Sequence, residues 1–256
     1  MKKIALIVTV LALSFGAMFF CGSNIAVTTA QSISAKPRKL ALLIGISKYN
    51  RGSKERNHDW WNLNTEYDIK LLKEVLIRKF QFNEKDILVL AEPKDTTHQA
   101  IVDAFRRHLI AQAQAGDIVY FHFSGHGQQI PDDDGDEADG YDETIIPSDY
   151  VSQSDGSKNI RDDEIGKLLD ELKAKNPANV TVTLDSCYSG TATRGDLPVR
   201  GGPWMGTPVP KEKIRGEDTS ASGIMERGGT PAQKYVFLSA ASPRETAKET
   251  TNEANQ

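Results

Sequence analysis

Cysteine is almost absent, with two residues among 256, Cys21 and Cys187. Cys21 lies in a stretch that reads as a leader, so the mature chain keeps one thiol and can build no disulfide framework. No Cys/His cluster with metal-site spacing occurs, which excludes a structural zinc site. Only Gly45 follows the first apolar run, without a Gly-x-Gly-x-x-Gly pattern, and this argues against a dinucleotide-binding fold. An excess of positive charge is also lacking. Lys and Arg number 31 against 35 Asp and Glu, for a formal charge of −4. Losing Lys2 and Lys3 with the leader makes the chain two charges more negative, a poor match to nucleic acid. No internal repeat is present.

The N-terminus has a basic start, Met1-Lys2-Lys3, an apolar run from Ile4 to Phe20 and small residues at Thr28-Thr29-Ala30. Residues 1–30 therefore read as a signal peptide of an exported chain, periplasmic or secreted. If retained, the same segment is a membrane anchor and the chain's only membrane contact. Bulky Met18, Phe19 and Phe20 before Cys21 argue against a lipoprotein site. Residues 31–37 form a polar linker. The remainder, roughly 225 residues, suffices for one α/β domain over about 38–250, with a polar tail at 251–256.

Within that domain, apolar runs alternate with helical patterns. Leu40–Ile46, Asp86–Leu90, Asp117–Phe123, Val180–Leu184 and Lys234–Ala240 read as five strands. Helices are expected over about Glu66–Lys79, from Thr96 or Thr97 to about Ala113, and over Arg161–Ala174. The first places Tyr67, Ile69, Leu71, Leu72, Val75, Leu76 and Phe80 on its apolar side. Such alternation predicts a mostly parallel sheet with helices on both faces. Gln128–Asn159 reads as a long acidic loop with a short hairpin arm at Thr144–Ile146. Thr191–Gln233 is rich in Gly, Pro and charge and reads as a flexible surface segment.

Two strands end in residues that carry chemistry. The third runs into Ser124-Gly125-His126-Gly127 and the fourth into Asp185-Ser186-Cys187. The C-terminal ends of parallel strands are where open α/β sheets place their sites. If the two strands are neighbours, Cys187 and His126 meet at one edge of the sheet. A thiolate nucleophile with an imidazole acid/base is the pair used by cysteine peptidases. The backbone N–H groups of Gly127 and Cys187 are candidates for an oxyanion hole. His122 reads as a core or supporting residue.

These paired motifs, with LALLIGISKY, GDEADGYDETIIPSDY and YVFLSAASPRETA, resemble the caspase-like peptidases of the C14 family, in their metacaspase and orthocaspase branch. The resemblance runs from about Leu40 to Lys248. It implies a caspase-like three-layer sandwich with strand order 2-1-3-4-5, to which the family sometimes adds a sixth strand. It implies an endopeptidase acting on proteins or peptides with Arg or Lys at P1, with no organic cofactor, working as a monomer. The matching acidic pocket consists of Asp68 and Asp185, lined by Ser124. Calcium is the implied activator, with Asp142, Asp162 and Asp163 matching the family's ligands and a further one falling near Arg194 or Asp196. The crowding of Asp132, Asp133, Asp134, Asp136, Glu137, Asp139, Asp142 and Glu143 on one segment suits a hard cation.

Six basic residues, Arg194, Arg200, Lys211, Lys213, Arg215 and Arg227, stud the flexible segment and suggest self-cleavage or a charged linker. The competing reading of the whole chain is a truncated, catalytically inactive caspase-like interaction module.

Overall fold

The computed structural model describes residues 36–49, 60–133, 140–188, 200–202 and 235–240. The leader, the centre of the acidic segment, Arg194, Asp196 and most of Thr191–Gln233 lie outside the described residues. The expectations placed on them are not addressed by the fold.

Five parallel strands form the central sheet: β1 (Lys39–Gly45), β2 (Ile87–Leu90), β3 (Ile118–Ser124), β7 (Asn179–Asp185) and β8 (Tyr235–Ser239). Their order is β2-β1-β3-β7-β8, which is the 2-1-3-4-5 order expected from the sequence. The runs are Val-, Ile- and Leu-rich because the central strands are covered on both faces. α1 (Thr65–Arg78) packs on one face over Ala41, Leu43, Ile87 and Phe82 through Ile69 and Leu76. The other face carries α2 (His98–Ala104) and α3 (Asp162–Lys173), whose Ile101, Val102, Leu168 and Leu172 join the larger core with Leu42, Phe121 and Val182. Two helical layers thus sandwich the sheet. Among the described residues no helix is long and apolar enough to cross a membrane.

Three details depart from the sequence reading. The apolar stripe of α1 is narrower than expected, for Tyr67 and Leu71 are exposed, as is Phe80 just beyond the helix. Residues 3–4 apart share a face, and the side that meets the sheet carries Ile69, Leu72, Leu76 and Ile77. The second helix stops being α-helical at Ala104 and continues as a wider π turn over Phe105–Ile110. That turn still buries Phe105 and Leu109.

The third departure is the acidic segment, which is not a loop with a small arm. β4 (Gly127–Pro131), β5 (Tyr141–Ile145) and β6 (Ile160–Arg161) form a second, antiparallel sheet. Several of its buried polar side chains bond to one another or to nearby backbone. The Gln128 amide donates to the Gln153 carbonyl at 2.8 Å, and the Thr144 hydroxyl donates to the Gln128 carbonyl at 2.8 Å. Asn159 donates to Thr144 Oγ1 at 3.0 Å. Burial of paired polar groups leaves no hydrophobic alternation to read.

Candidate active site

The β3–β7 register builds the site. Ser124 lies opposite Asp185 in the parallel pair, so His126 and Cys187 each stand two residues past the same rung. Both are fully buried.

The His126 ring is held by aromatic side chains and one carbonyl. Its centroid lies 4.6 Å from that of Tyr49, 4.7 Å from Trp60 and 4.9 Å from Trp61. Nε2 is 2.8 Å from the Trp61 carbonyl oxygen. A carbonyl only accepts, so Nε2 carries the proton and Nδ1 is the basic nitrogen. Nδ1 is buried and makes no hydrogen bond among the described residues. Burial pushes the His126 pKa down to about 3, against smaller upward pulls from the Trp61 and Arg200 carbonyls. The imidazole is therefore neutral in this covered site, and burial weakens it as a base.

Tyr49 fixes the backbone below the ring. Its hydroxyl accepts from the His126 N–H at 3.1 Å and donates to the Ile146 carbonyl at 3.0 Å. The Tyr150 hydroxyl donates to the Tyr49 carbonyl at 2.5 Å and accepts from the Trp60 N–H at 3.3 Å. A Cβ on Gly125 would lie 2.5 Å from the Tyr49 hydroxyl and 2.6 Å from the Phe123 ring, so only glycine lets this tyrosine approach.

The pocket beside Cys187 is acidic. Asp185 ends β7, Ser124 ends β3, and Asp68 reaches them from α1. α1 comes this close because position 45 has no side chain; a Cβ there would lie 2.5 Å from Ile69 Cγ1. Ser124 donates its hydroxyl hydrogen bond to Asp68 at 3.2 Å.

Arg200 fills this pocket. Its guanidinium bonds Asp68 Oδ2 at 2.6 Å, Asp185 Oδ2 at 2.6 Å and Ser124 Oγ at 2.5 Å. Its side chain is 7% exposed, against 38% for Asp68 and 34% for Asp185. The Arg200 carbonyl accepts from the Gly127 N–H at 3.0 Å and from the Cys187 N–H at 3.4 Å. These are the two donors expected of an oxyanion hole. Gly201 then pairs with Gly127 as a parallel bridge. Arg200 is thus a buried, fully engaged residue, and its place in a flexible surface segment is corrected. Two carboxylates within bonding distance of one guanidinium offset the cost of burying it.

His122 lies under the pocket, with Nδ1 2.7 Å from Thr183 Oγ1, and burial holds its pKa down to about 4. This is the supporting position expected of it.

The proposed calcium ligands gather around β5, β6 and the start of α3. Asp142, Asp162 and Asp163 are all buried. Both carboxylate oxygens of Asp162 lack a hydrogen bond of good geometry among the described residues. Burial, with Glu143, Asp142 and Asp163 nearby, pushes its pKa up to about 8. A carboxylate in that condition fits a cation. The three acids whose ligand atoms lie within 4.8 Å of one another are, however, Asp132, Asp133 and Asp142. Arg161 bonds Asp142 and, at 3.2 Å, Asp133. Of the three expected ligands only Asp142 therefore belongs to the convergent group, and Arg161 partly neutralises it.

Sequence reasoning missed the aromatic cage and the seated Arg200. The two tryptophans of an otherwise polar loop were the available signal for the first. Arg200 before two glycines was the signal for the second.

Comparison with known proteins agrees with the fold. The family profile described as metacaspase, peptidase C14 domain, matches residues 39–198. Metacaspase-1A of Aspergillus niger is 36% identical over 166 residues, covering 63% of this chain and 37% of that protein. Metacaspase-1 of Schizosaccharomyces pombe is 35% identical over 175 residues, covering 66% of this chain and again 37% of the relative. The chain thus matches under two fifths of these relatives' length. A Geobacter sulfurreducens protein of known crystal structure shares the fold, with a TM-score of 0.50, 22% identity and coverage of 82% of this chain and 75% of that one. With the profile extending over more than half of its residues, the chain belongs to the metacaspase family of C14 peptidases.

Proposed function

We propose that the chain is a cysteine endopeptidase that cuts after Arg or Lys, with Cys187 as nucleophile and His126 as acid/base. The observation that carries this reading is an arginine seated in the acidic pocket with its carbonyl on the Gly127 and Cys187 N–H groups. A substrate bound in the same way presents its carbonyl carbon to Sγ. His126 Nδ1 takes the thiol proton, and the two N–H groups stabilise the negative charge that develops on the carbonyl oxygen. Nε2–H stays on the Trp61 carbonyl and keeps the ring oriented. His126 then returns the proton to the leaving amine.

Two carboxylates favour a planar guanidinium, which can fork between them, over the point charge of an ammonium. Arg should therefore exceed Lys at P1, and Asp at P1 should meet only repulsion. Calcium fits as an activator that Asp142, Asp162 and Asp163 would hold. The ion would supply countercharge to buried carboxylates at the root of the second sheet.

The test is hydrolysis of fluorogenic peptides bearing Arg, Lys or Asp at P1, with millimolar calcium or chelator, beside Cys187→Ala. Cleavage after Arg and Lys that needs calcium and disappears in the variant is expected. Cleavage after Asp would refute the pocket assignment. No turnover by a folded chain would favour the non-catalytic interaction module.

A further inference from the structure

We propose that His122 sets the charge of the basic-residue pocket: its ring holds a proton while the pocket is empty and releases it to solvent when a guanidinium enters. The inference rests on the basic-residue pocket proposed above. It deepens that reading by naming a residue that couples the grip of the pocket to pH.

The strand register places the ring. His122 lies on β3 two residues before Ser124, and its partner on β7 is Thr183, two residues before Asp185. Side chains two apart share a face, so all four lie on one side of the sheet. His122 therefore stands about 6–7 Å of strand below the residues that end β3 and β7 in the pocket. It is buried, at 7% exposure. Nδ1 is 2.7 Å from Thr183 Oγ1, and that oxygen is 2.9 Å from the Tyr120 hydroxyl. Nε2 is buried and makes no hydrogen bond among the described residues.

Two features fit a ring that changes its protonation state in place. The first is the hydroxyl pair, in which either oxygen can be the donor. When Tyr120 donates to Thr183 and Thr183 donates to Nδ1, the ring is neutral. When both hydroxyls turn, Nδ1–H donates to Thr183, Thr183 donates to Tyr120, and Nε2 is free to hold the second proton. No heavy atom has to move.

The second feature is shared charge. Burial lowers the pKa of His122 to about 4, the Asp68 carboxylate pulls it up, and the Arg200 guanidinium pushes it down. The charges that meet in the pocket thus act on the ring with opposite signs. The groups facing it are Asp68 of α1, Thr183 and Asp185 of β7, Tyr120 and Ser124 of β3, and Arg200 across the pocket. Leu43 of β1 and Leu238 of β8 stand on the same rung and do not titrate. Asp68 and Asp185 share one guanidinium, so without it they repel each other and favour a proton on the ring below. Two cations then compete for one pair of carboxylates. One proton released per guanidinium bound weakens binding about tenfold for each pH unit below the titration point of the empty pocket.

The experiment is an imidazole NMR titration of the full chain, wild type and Arg200→Gln, with the His122 resonance assigned from His122→Asn. Asparagine keeps a polar atom near the place of Nδ1, so Thr183 retains a partner. The His122 midpoint should be at least one pH unit higher in Arg200→Gln than in wild type, and agmatine should return it toward the wild-type value. Peptide hydrolysis in calcium gives a second measurement that does not need the Arg200 variant to fold. KM for an Arg-P1 peptide should rise at least tenfold from pH 7.5 to pH 5.5 in wild type and much less in His122→Asn, the difference falling on KM and not on kcat. A His122 that only supports the strands would leave that slope unchanged. Equal midpoints with and without Arg200, a midpoint that agmatine does not move, or the same KM slope in His122→Asn would each overturn the proposal and leave the peptidase reading intact. A folded chain without turnover would overturn the peptidase reading, and the imidazole titration would still decide the role of His122.

Discussion

Tyr49 shows how much one side chain can settle at the residue scale. Its hydroxyl is the partner of the buried His126 N–H and of the Ile146 carbonyl. Tyr49→Phe would strand both groups, at a cost of about 1–3 kcal/mol for each buried group left unpaired. The expected outcome is a lower Tm together with a fall in kcat at nearly constant KM, since the pocket is untouched. Asp185→Asn tests the pocket instead. Removing one charge-assisted partner of an arginine is worth about 1.5–3 kcal/mol, so KM for an Arg-P1 peptide should rise roughly tenfold or more. His126 adds a pH signature. Its pKa is about 6.5 unfolded and about 3 when buried, so the unfolded chain binds more protons between those values. The resulting penalty is absent above pH 6.5 and grows as pH falls toward 3. Denaturant midpoints measured from pH 7 to pH 4 should fall, and less steeply in His126→Asn.

At the scale of elements, the site follows from register. Ser124 opposite Asp185 carries His126 and Cys187 to the same height, and both strand ends could be read from apolar runs that stop abruptly. The approach of α1 could not, because it depends on what Gly45 lacks. Gly45→Ala would put a Cβ 2.5 Å from Ile69 Cγ1 and push the helix away, taking Asp68 with it. Overpacking of this kind costs about 1–3 kcal/mol, so urea unfolding should shift to lower concentration while Arg binding weakens more than the chemical step. The β4–β5–β6 sheet was hidden for a different reason. Its buried face uses Gln128, Thr144 and Asn159, which satisfy one another and carry no apolar period. The seat of Arg200 was hidden because Gly201 and Gly202 read as flexibility when counted by composition. In place, they are the residues thin enough to pass between Cys187 and Trp60.

Over the whole molecule, acidic groups collect at one end of the second sheet. Asp162 moves from 3.8 to about 8 on folding, so the metal-free native chain loses stability as pH rises through that range. A bound cation requires the ionised carboxylate and reverses the penalty. Calcium should therefore raise Tm by several degrees, at ~2–4 °C per kcal/mol for a chain of this size. The gain should be greater at pH 8 than at pH 6, vanish with chelator and shrink in Asp162→Asn. Differential scanning calorimetry without substrate would read this directly, so the metal can be tested apart from catalysis.

The covering of Cys187 has a consequence for chemical survival. The thiol is fully buried, and the backbone of Gly201 lies against its sulfur. Peroxide or a second molecule's thiol must reach Sγ before a sulfenic acid or an intermolecular disulfide can form. While Arg200–Gly202 stay seated, neither can. The seated segment thus shields the sulfur from oxidation for as long as it stays in place.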